Sequence, residues 1–150
     1  MDTGKRGSLV MLKVFIDTNI IISGIFFSGL ESKILDSRDL RLVTADICRE
    51  ETMEVVKRKF NDLGSKSLDK VLEEVEEALM DIEFIKEEEY RSEMDFAKKC
   101  VRGENDIKVL AAVIAVEPDH FITGDSDFHK EEVEEKVDLI TSRELLDKIR

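Results

Sequence analysis

Cysteine and histidine, the residues that form disulfides or ligate zinc, are scarce in this 150-residue chain, which has two of each. It also has a single proline. Two cysteines cannot build the disulfide framework of a small secreted domain, so a reducing compartment is expected. Cys48, Cys100, His120 and His129 could together ligate zinc, but no pair of them has the short spacing typical of such a site. We therefore interpret the cysteines as partly buried thiols.

Long hydrophobic runs are also missing. No apolar stretch approaches the roughly 20 residues of a membrane-spanning helix, because serines and glycines interrupt the run over 20–30. The two basic residues near the N-terminus are not followed by a long apolar region, which argues against a secretion signal. We expect a cytoplasmic protein that does not bind membranes, with residues 1–11 as a flexible leader.

Basic residues are outnumbered by acidic ones, 23 to 35, which gives a net charge of −12. This balance argues against broad, sequence-independent binding to nucleic acid, which depends on the neutralisation of phosphates. It is compatible with an enzyme that has a local basic surface. With 42% hydrophobic and 39% charged residues, the composition is that of a folded chain, and we predict a single domain over 12–150.

Apolar runs rich in β-formers alternate with segments of helical periodicity. Short strands are predicted at about 12–16, 40–44, 82–85, 120–123 and 137–140, with helices between them and after the last one, including a helix over 88–100. Such alternation indicates an α/β fold with three layers, in which a mostly parallel central sheet carries helices on both faces.

Acidic residues stand where two of the predicted strands end. Asp17 follows the first strand and is itself followed by Thr18 and Asn19, whereas Asp125 and Asp127 follow the fourth strand. The carboxyl ends of parallel strands form the edge at which open α/β sheets bind their ligands. Each aspartate also has a structural interpretation, because an aspartate after a strand can cap the next helix.

Two further pairs of acids lie in predicted helices. Glu50 and Glu51 follow the second strand. Glu51 shares a helix face with Val55, so we prefer Glu51 as the acid that points inward, and Glu50 remains the alternative. Glu104 and Asp106 begin a helix with an almost wholly apolar side. Both pairs also have a structural interpretation that needs no functional role: Glu50 and Glu51 can lie on a solvated helix face, and acids in a first helical turn such as Glu104 and Asp106 are favoured by the helix dipole.

The four acidic positions can meet only if the sheet brings the ends of its strands together, as a doubly wound sheet does. Converging carboxylates repel one another unless a cation lies among them. Oxygen ligands without histidine or cysteine favour Mg²⁺ or Mn²⁺, which can lower the pKa of a bound water and neutralise charge on a phosphate. This chemistry suits the hydrolysis of a phosphodiester.

The sequence resembles the PIN-domain family of ribonucleases, which includes the VapC-type toxins. The matching motifs are FIDTN at 15–19, an acid in Glu50-Glu51, Asp106 at the head of 107–115, and ITGDSD at 122–127. They occur in family order between about Leu12 and Leu146, and the first and last are the most specific. The resemblance implies a Rossmann-like α/β/α domain that uses Mg²⁺ or Mn²⁺ to hydrolyse single-stranded RNA, leaving 5′-phosphate and 3′-hydroxyl ends.

The resemblance also implies roles for particular residues. The catalytic acids would be Asp17, Glu51, Asp106 and Asp125, with Asp17, Asp106 and Asp125 as metal ligands and Glu50 as the alternative to Glu51. Supporting roles would fall to Thr18, Asn19, Glu50, Glu104, Thr123 and Asp127. The candidates for RNA contact, on segments that flank these acids, are Arg49, Arg58, Lys98, Lys99 and Arg102. An RNA substrate, a homodimer and, as in some members, an antitoxin partner are the expected interactions.

Two other functions compete with this interpretation. A haloacid-dehalogenase-like phosphatase also begins with a strand that ends in aspartate, but it requires a second aspartate two residues later, where this chain has Asn19. A PIN-fold binding module without catalysis belongs to a different functional class. The four filled acidic positions argue against that module, and the sequence leaves open whether a nuclease of this kind is paired with an antitoxin.

Overall fold

The computed structural model describes residues 11–149, and within them a parallel four-stranded sheet is covered by helices. Its strands are β1 (Leu12–Ile16), β2 (Leu40–Ala45), β3 (Glu83–Ile85) and β4 (His120–Ile122), in the order β3-β2-β1-β4 across the sheet. The predicted α/β/α architecture is thereby confirmed. Apart from the exposed Met11, the predicted leader over 1–11 lies outside the described residues.

The helices that connect the strands follow the predicted order. They are α1 (Thr18–Phe26), α2 (Leu30–Asp36), α3 (Asp46–Lys59), α4 (Ser65–Leu79), α5 (Glu87–Tyr90), α6 (Met94–Cys100), α7 (Glu104–Val116), α8 (Glu131–Glu134) and α9 (Ser142–Lys148). Among the helices of residues 11–149, none is both long enough and apolar enough to cross a membrane.

The central strand β1 fixes where the ends of the neighbouring strands meet. Phe15 is paired with Val43 of β2 on one side and with Phe121 of β4 on the other, and the rings of Phe15 and Phe121 pack edge to face at 5.4 Å. The chain runs outward from β1 through β2 to β3 and then returns to β4 on the opposite side. The carboxyl ends of β1 and β4 therefore flank a topological switch point, the usual ligand site of an open parallel sheet.

Two predicted elements are shorter than expected. The strand predicted over 137–140 is reduced to one bridge between Phe121 and Leu139, because Thr141 caps α9 and turns the chain away; its Oγ1 accepts a hydrogen bond from Glu144 N at 3.0 Å. The helix predicted over 88–100 is divided into α5 and α6 by a 3₁₀ turn at Arg91–Glu93. The Tyr90 hydroxyl at this division is anchored by a hydrogen bond of 2.6 Å to Asp46 Oδ1 of α3.

The contact between α1 and α2 depends on the missing side chain of Gly24. A Cβ placed there would lie 2.4 Å from Leu35 Cδ1 and 3.0 Å from the carbonyl oxygen of Glu31, so the two helices would have to separate. We expect Gly24→Ala to lower the free energy of unfolding by about 1–3 kcal/mol, measured by urea denaturation. Gly124→Ala is the control, because nothing lies within 4 Å of its Cβ position. Equal losses in both variants would contradict this close packing.

Candidate metal centre

A cavity of about 340 Å³ opens at the carboxyl ends of β1 and β4. The four acids predicted to be catalytic all line it: Asp17, Glu51, Asp106 and Asp125. They come from different parts of the chain, since Asp17 and Asp125 follow the two strands while the others lie on α3 and α7. The switch point of the sheet thus brings together residues that are more than 100 positions apart.

Asp17 is buried at the floor of this site, with 6% of its surface exposed. Its Oδ1 accepts a hydrogen bond from Ile20 N at 3.2 Å, so Asp17 does cap α1, as the structural interpretation expected. Its Oδ2 accepts a hydrogen bond from the Thr123 hydroxyl, whose oxygen in turn accepts one from Asp125 N at 3.0 Å. Thr123 therefore hydrogen-bonds to two of the acids, and its supporting role in catalysis stays a prediction.

Burial and the charges of neighbouring acids make two carboxyl groups of this site, those of Asp17 and Asp106, harder to ionise. Burial raises the pKa of Asp17 from 3.8 to about 6; hydrogen bonds from Thr123 and Ile20 oppose the shift, and the charges of Asp125 and Glu51 add to it. Partial burial also raises the pKa of Asp106, with further contributions from the neighbouring acids. A cation bound among these groups would relieve both causes at once.

The structure brings Glu51, and not its neighbour Glu50, to the cavity. The two carboxylate oxygens of Glu51 accept hydrogen bonds from Thr18 Oγ1 at 2.6 Å and from Asn105 Nδ2 at 2.8 Å. Glu50 is exposed and does not line the cavity, and neither does Glu104 at the start of α7. Asn105 is the residue that the sequence interpretation missed, and its place between two acids at a helix start was the one available signal.

Three carboxylates could hold a divalent cation. One oxygen from each of Asp106, Asp125 and Asp127 lies within 4.8 Å of the other two. A cation with metal–oxygen distances of about 2.0–2.6 Å can bridge oxygens at such separations, and an all-carboxylate set suits Mg²⁺ or Mn²⁺. Asp127, predicted as a supporting residue, belongs to this group, whereas both oxygens of Asp17 are engaged by protein donors.

The five residues proposed for RNA contact are placed differently. Arg58 lines the cavity. Arg49 instead pairs with Glu76 of α4 at 2.5 Å and lies over the ring of Phe84, away from the acids. The remaining three are exposed but do not line the cavity: Lys98, Lys99 and Arg102.

Comparisons with known proteins relate this geometry to a family. A sequence model described as the PIN domain matches residues 15–147, and no curated protein sequence matches the chain. One similar chain comes from the crystal structure of VapBC2 from Rickettsia felis bound to a promoter DNA fragment. It is 18% identical to this protein, and the two superpose with a TM-score of 0.59 over 87% of this chain and 98% of the Rickettsia chain. A chain from a toxin–antitoxin complex of Klebsiella pneumoniae is 16% identical, with a TM-score of 0.58 over 86% and 97%.

These two likenesses are too distant in sequence to show more than a shared fold. The family match carries further, because it spans nearly the whole described chain and includes every acid of the cavity. On these grounds the chain belongs to the PIN domain family.

Proposed function

We propose that the protein is a metal-dependent endoribonuclease that hydrolyses phosphodiester bonds of single-stranded RNA. The main support is the convergence of Asp106, Asp125 and Asp127 oxygens within 4.8 Å beside a cavity that Asp17 and Glu51 also line. Carboxylates so arranged destabilise one another without a cation, so the arrangement is best understood as a binding site for one.

The residues of the site have separate tasks in this proposal. Asp106, Asp125 and Asp127 would hold Mg²⁺ or Mn²⁺, which when bound supplies a lowered pKa for water and neutralises charge on the phosphate. Glu51 is fixed by hydrogen bonds from Thr18 and Asn105, and each of its oxygens keeps a lone pair with which to orient the attacking water and take up its proton. Asp17 supports the others by holding Thr123, which in turn binds Asp125 N.

The biological setting we propose is that of a toxin restrained by an antitoxin in the cytoplasm. Of the two solved structures compared above, one is a toxin–antitoxin complex and the other is VapBC2 bound to a promoter DNA fragment. A homodimer is part of the same proposal, as it is common in the family that the sequence resembles. All the acids of the proposed site lie on one chain, so the enzymatic proposal can be tested without an antitoxin.

The proposed activity predicts metal-dependent cleavage of a labelled single-stranded RNA. We expect cleavage with millimolar Mn²⁺ or Mg²⁺ and none with excess EDTA, because the acids alone cannot offset charge at the phosphate. Product ends should be 5′-phosphates, detected by their ligation to an acceptor RNA, and 3′-hydroxyls. Undiminished cleavage in EDTA, or 2′,3′-cyclic phosphate ends, would contradict the proposal and indicate metal-free chemistry.

A further inference from the structure

A single arginine lies in the otherwise acidic cavity. Arg58, in the last turn of α3, lines the cavity together with Glu51, Asp106 and Asp125. Among the described residues that line this cavity, it is the only one with a basic side chain. Its position is unusual in a protein with a net charge of −12, because the acids of the site would repel any negatively charged substrate.

The guanidinium of Arg58 is available for a ligand. Three other described arginines are paired with acids: Arg41 with Glu83 at 2.8 Å, Arg49 with Glu76 at 2.5 Å and Arg91 with Glu87 at 3.5 Å. Within residues 11–149, Arg58 has no ion pair and no hydrogen-bond partner. A guanidinium presents five donors in a planar fork that matches the oxygens of a phosphate.

The helix places Arg58 at the same cavity as Asp106 and Asp125, two of the three clustered acids. Arg58 is seven residues after Glu51, which puts it two turns and about 10 Å further along the same face of α3. Side chains on a helix lean toward its N-terminus, so Arg58 extends back over the cavity. Because this offset along the helix axis separates Arg58 from Glu51, we take a phosphate held by Arg58 to be a different one from the phosphate at the acid cluster.

We propose that Arg58 binds the backbone phosphate next to the one that is cleaved, so that efficient cleavage requires a substrate with at least two phosphates. This inference rests on the proposed function and adds the residue that determines substrate length. Phosphate contacts of this kind fix the register of a nucleic-acid strand without reading its sequence. Arg58 is thus a positioning residue that draws the strand into an acidic site and aligns it there.

The test compares a dinucleoside monophosphate, which has one phosphate, with a trinucleoside diphosphate, which has two. In wild type with Mn²⁺, kcat/KM should be roughly tenfold or more higher for the longer substrate, because a hydrogen-bonded charge pair contributes on that scale. Arg58→Ala should remove this advantage, so that kcat/KM for the two substrates differs by less than about twofold in the variant. Arg58→Lys should retain part of it. Lys59→Ala, an exposed charge in the same turn, is the matched control and should keep it.

A binding assay keeps this inference separate from the chemistry. Fluorescence anisotropy with a longer labelled RNA should give a slope of log K against log salt that is shallower by about 0.7 in Arg58→Ala than in wild type, the amount for one phosphate contact on a single strand. If wild type binds the labelled RNA but cleaves neither short substrate, the proposed nuclease activity is contradicted while the proposed phosphate contact of Arg58 is not. An unchanged salt slope, or an equal loss of kcat/KM on both substrates, would overturn the role of Arg58.

Discussion

Asp106→Asn should lower the rate of RNA cleavage by at least ~100-fold while the fold is retained. Asp106 supplies one of three carboxylate oxygens that lie within 4.8 Å of one another, and an uncharged amide oxygen is a much weaker ligand for a divalent cation. Metal ions contribute several kcal/mol to stabilising a transition state, and each 1.36 kcal/mol corresponds to about tenfold in rate. The measurement is kcat/KM on labelled single-stranded RNA with Mn²⁺.

The control for this prediction is Asp95→Asn. Asp95 is an exposed acid in the first turn of α6, just as Asp106 is an acid in the first turn of α7, so both changes remove one charge from the first turn of a helix. Only Asp106 lines the cavity. Cleavage by Asp106→Asn within about threefold of the control, with an unchanged unfolding curve, would exclude Asp106 from the metal site.

Asp17→Asn should make the metal-free protein more stable near neutral pH while it weakens cleavage. The folded-state pKa of Asp17 is raised to about 6, above the 3.8 of an unfolded chain, so folding favours its protonated form. That contribution to stability is fully present below about pH 4 and is lost as pH rises through about 6. At pH 7 the ionised group therefore costs up to ~3 kcal/mol; asparagine avoids this cost and still caps α1, and the loss of the hydrogen bond that Thr123 donates to Asp17 offsets part of the gain.

The measurement is urea denaturation of wild type and Asp17→Asn in EDTA between pH 4 and pH 7.5. Wild type should lose stability relative to the variant as pH rises across this interval, and the difference should level off above pH 7. This loss of stability is expected when a functional site holds ionised carboxylates close together, because their charge lowers the stability of the metal-free fold. Parallel pH profiles for the two proteins would show that Asp17 is not held at a raised pKa.

The fold was predictable because its signals are local and repeated. The run Val14–Ile16 is apolar and is followed by polar residues, a pattern typical of a strand buried on both faces of a parallel sheet. In the structure it lies on the buried central strand. The strand predicted over 137–140 is shorter than expected because its apolar residues serve mainly burial: Val137 is 7% exposed, while backbone pairing is limited to one parallel bridge at Leu139.

The candidate site was predictable where the sheet determines it and not where side-chain rotation does. Asp17 and Asp125 follow strands whose ends must meet in a parallel sheet, so sequence position alone brings them together. The choice between Glu50 and Glu51 depends on about 100° of rotation about α3, which the hydrogen bond from Thr18 to Glu51 resolves in the structure. The only sequence signal for Asn105 was its place between two acids, and its hydrogen bond to Glu51 of another helix could not be predicted from that.

The central claim is that these acids form one site for a divalent cation, and calorimetric titration of Mn²⁺ at pH 7 tests it most directly. The account predicts saturable binding to wild type, no binding under the same conditions to the double variant Asp106→Asn/Asp125→Asn, and native unfolding behaviour in both. Equal Mn²⁺ binding by the folded double variant, or none by wild type at millimolar metal, would contradict it.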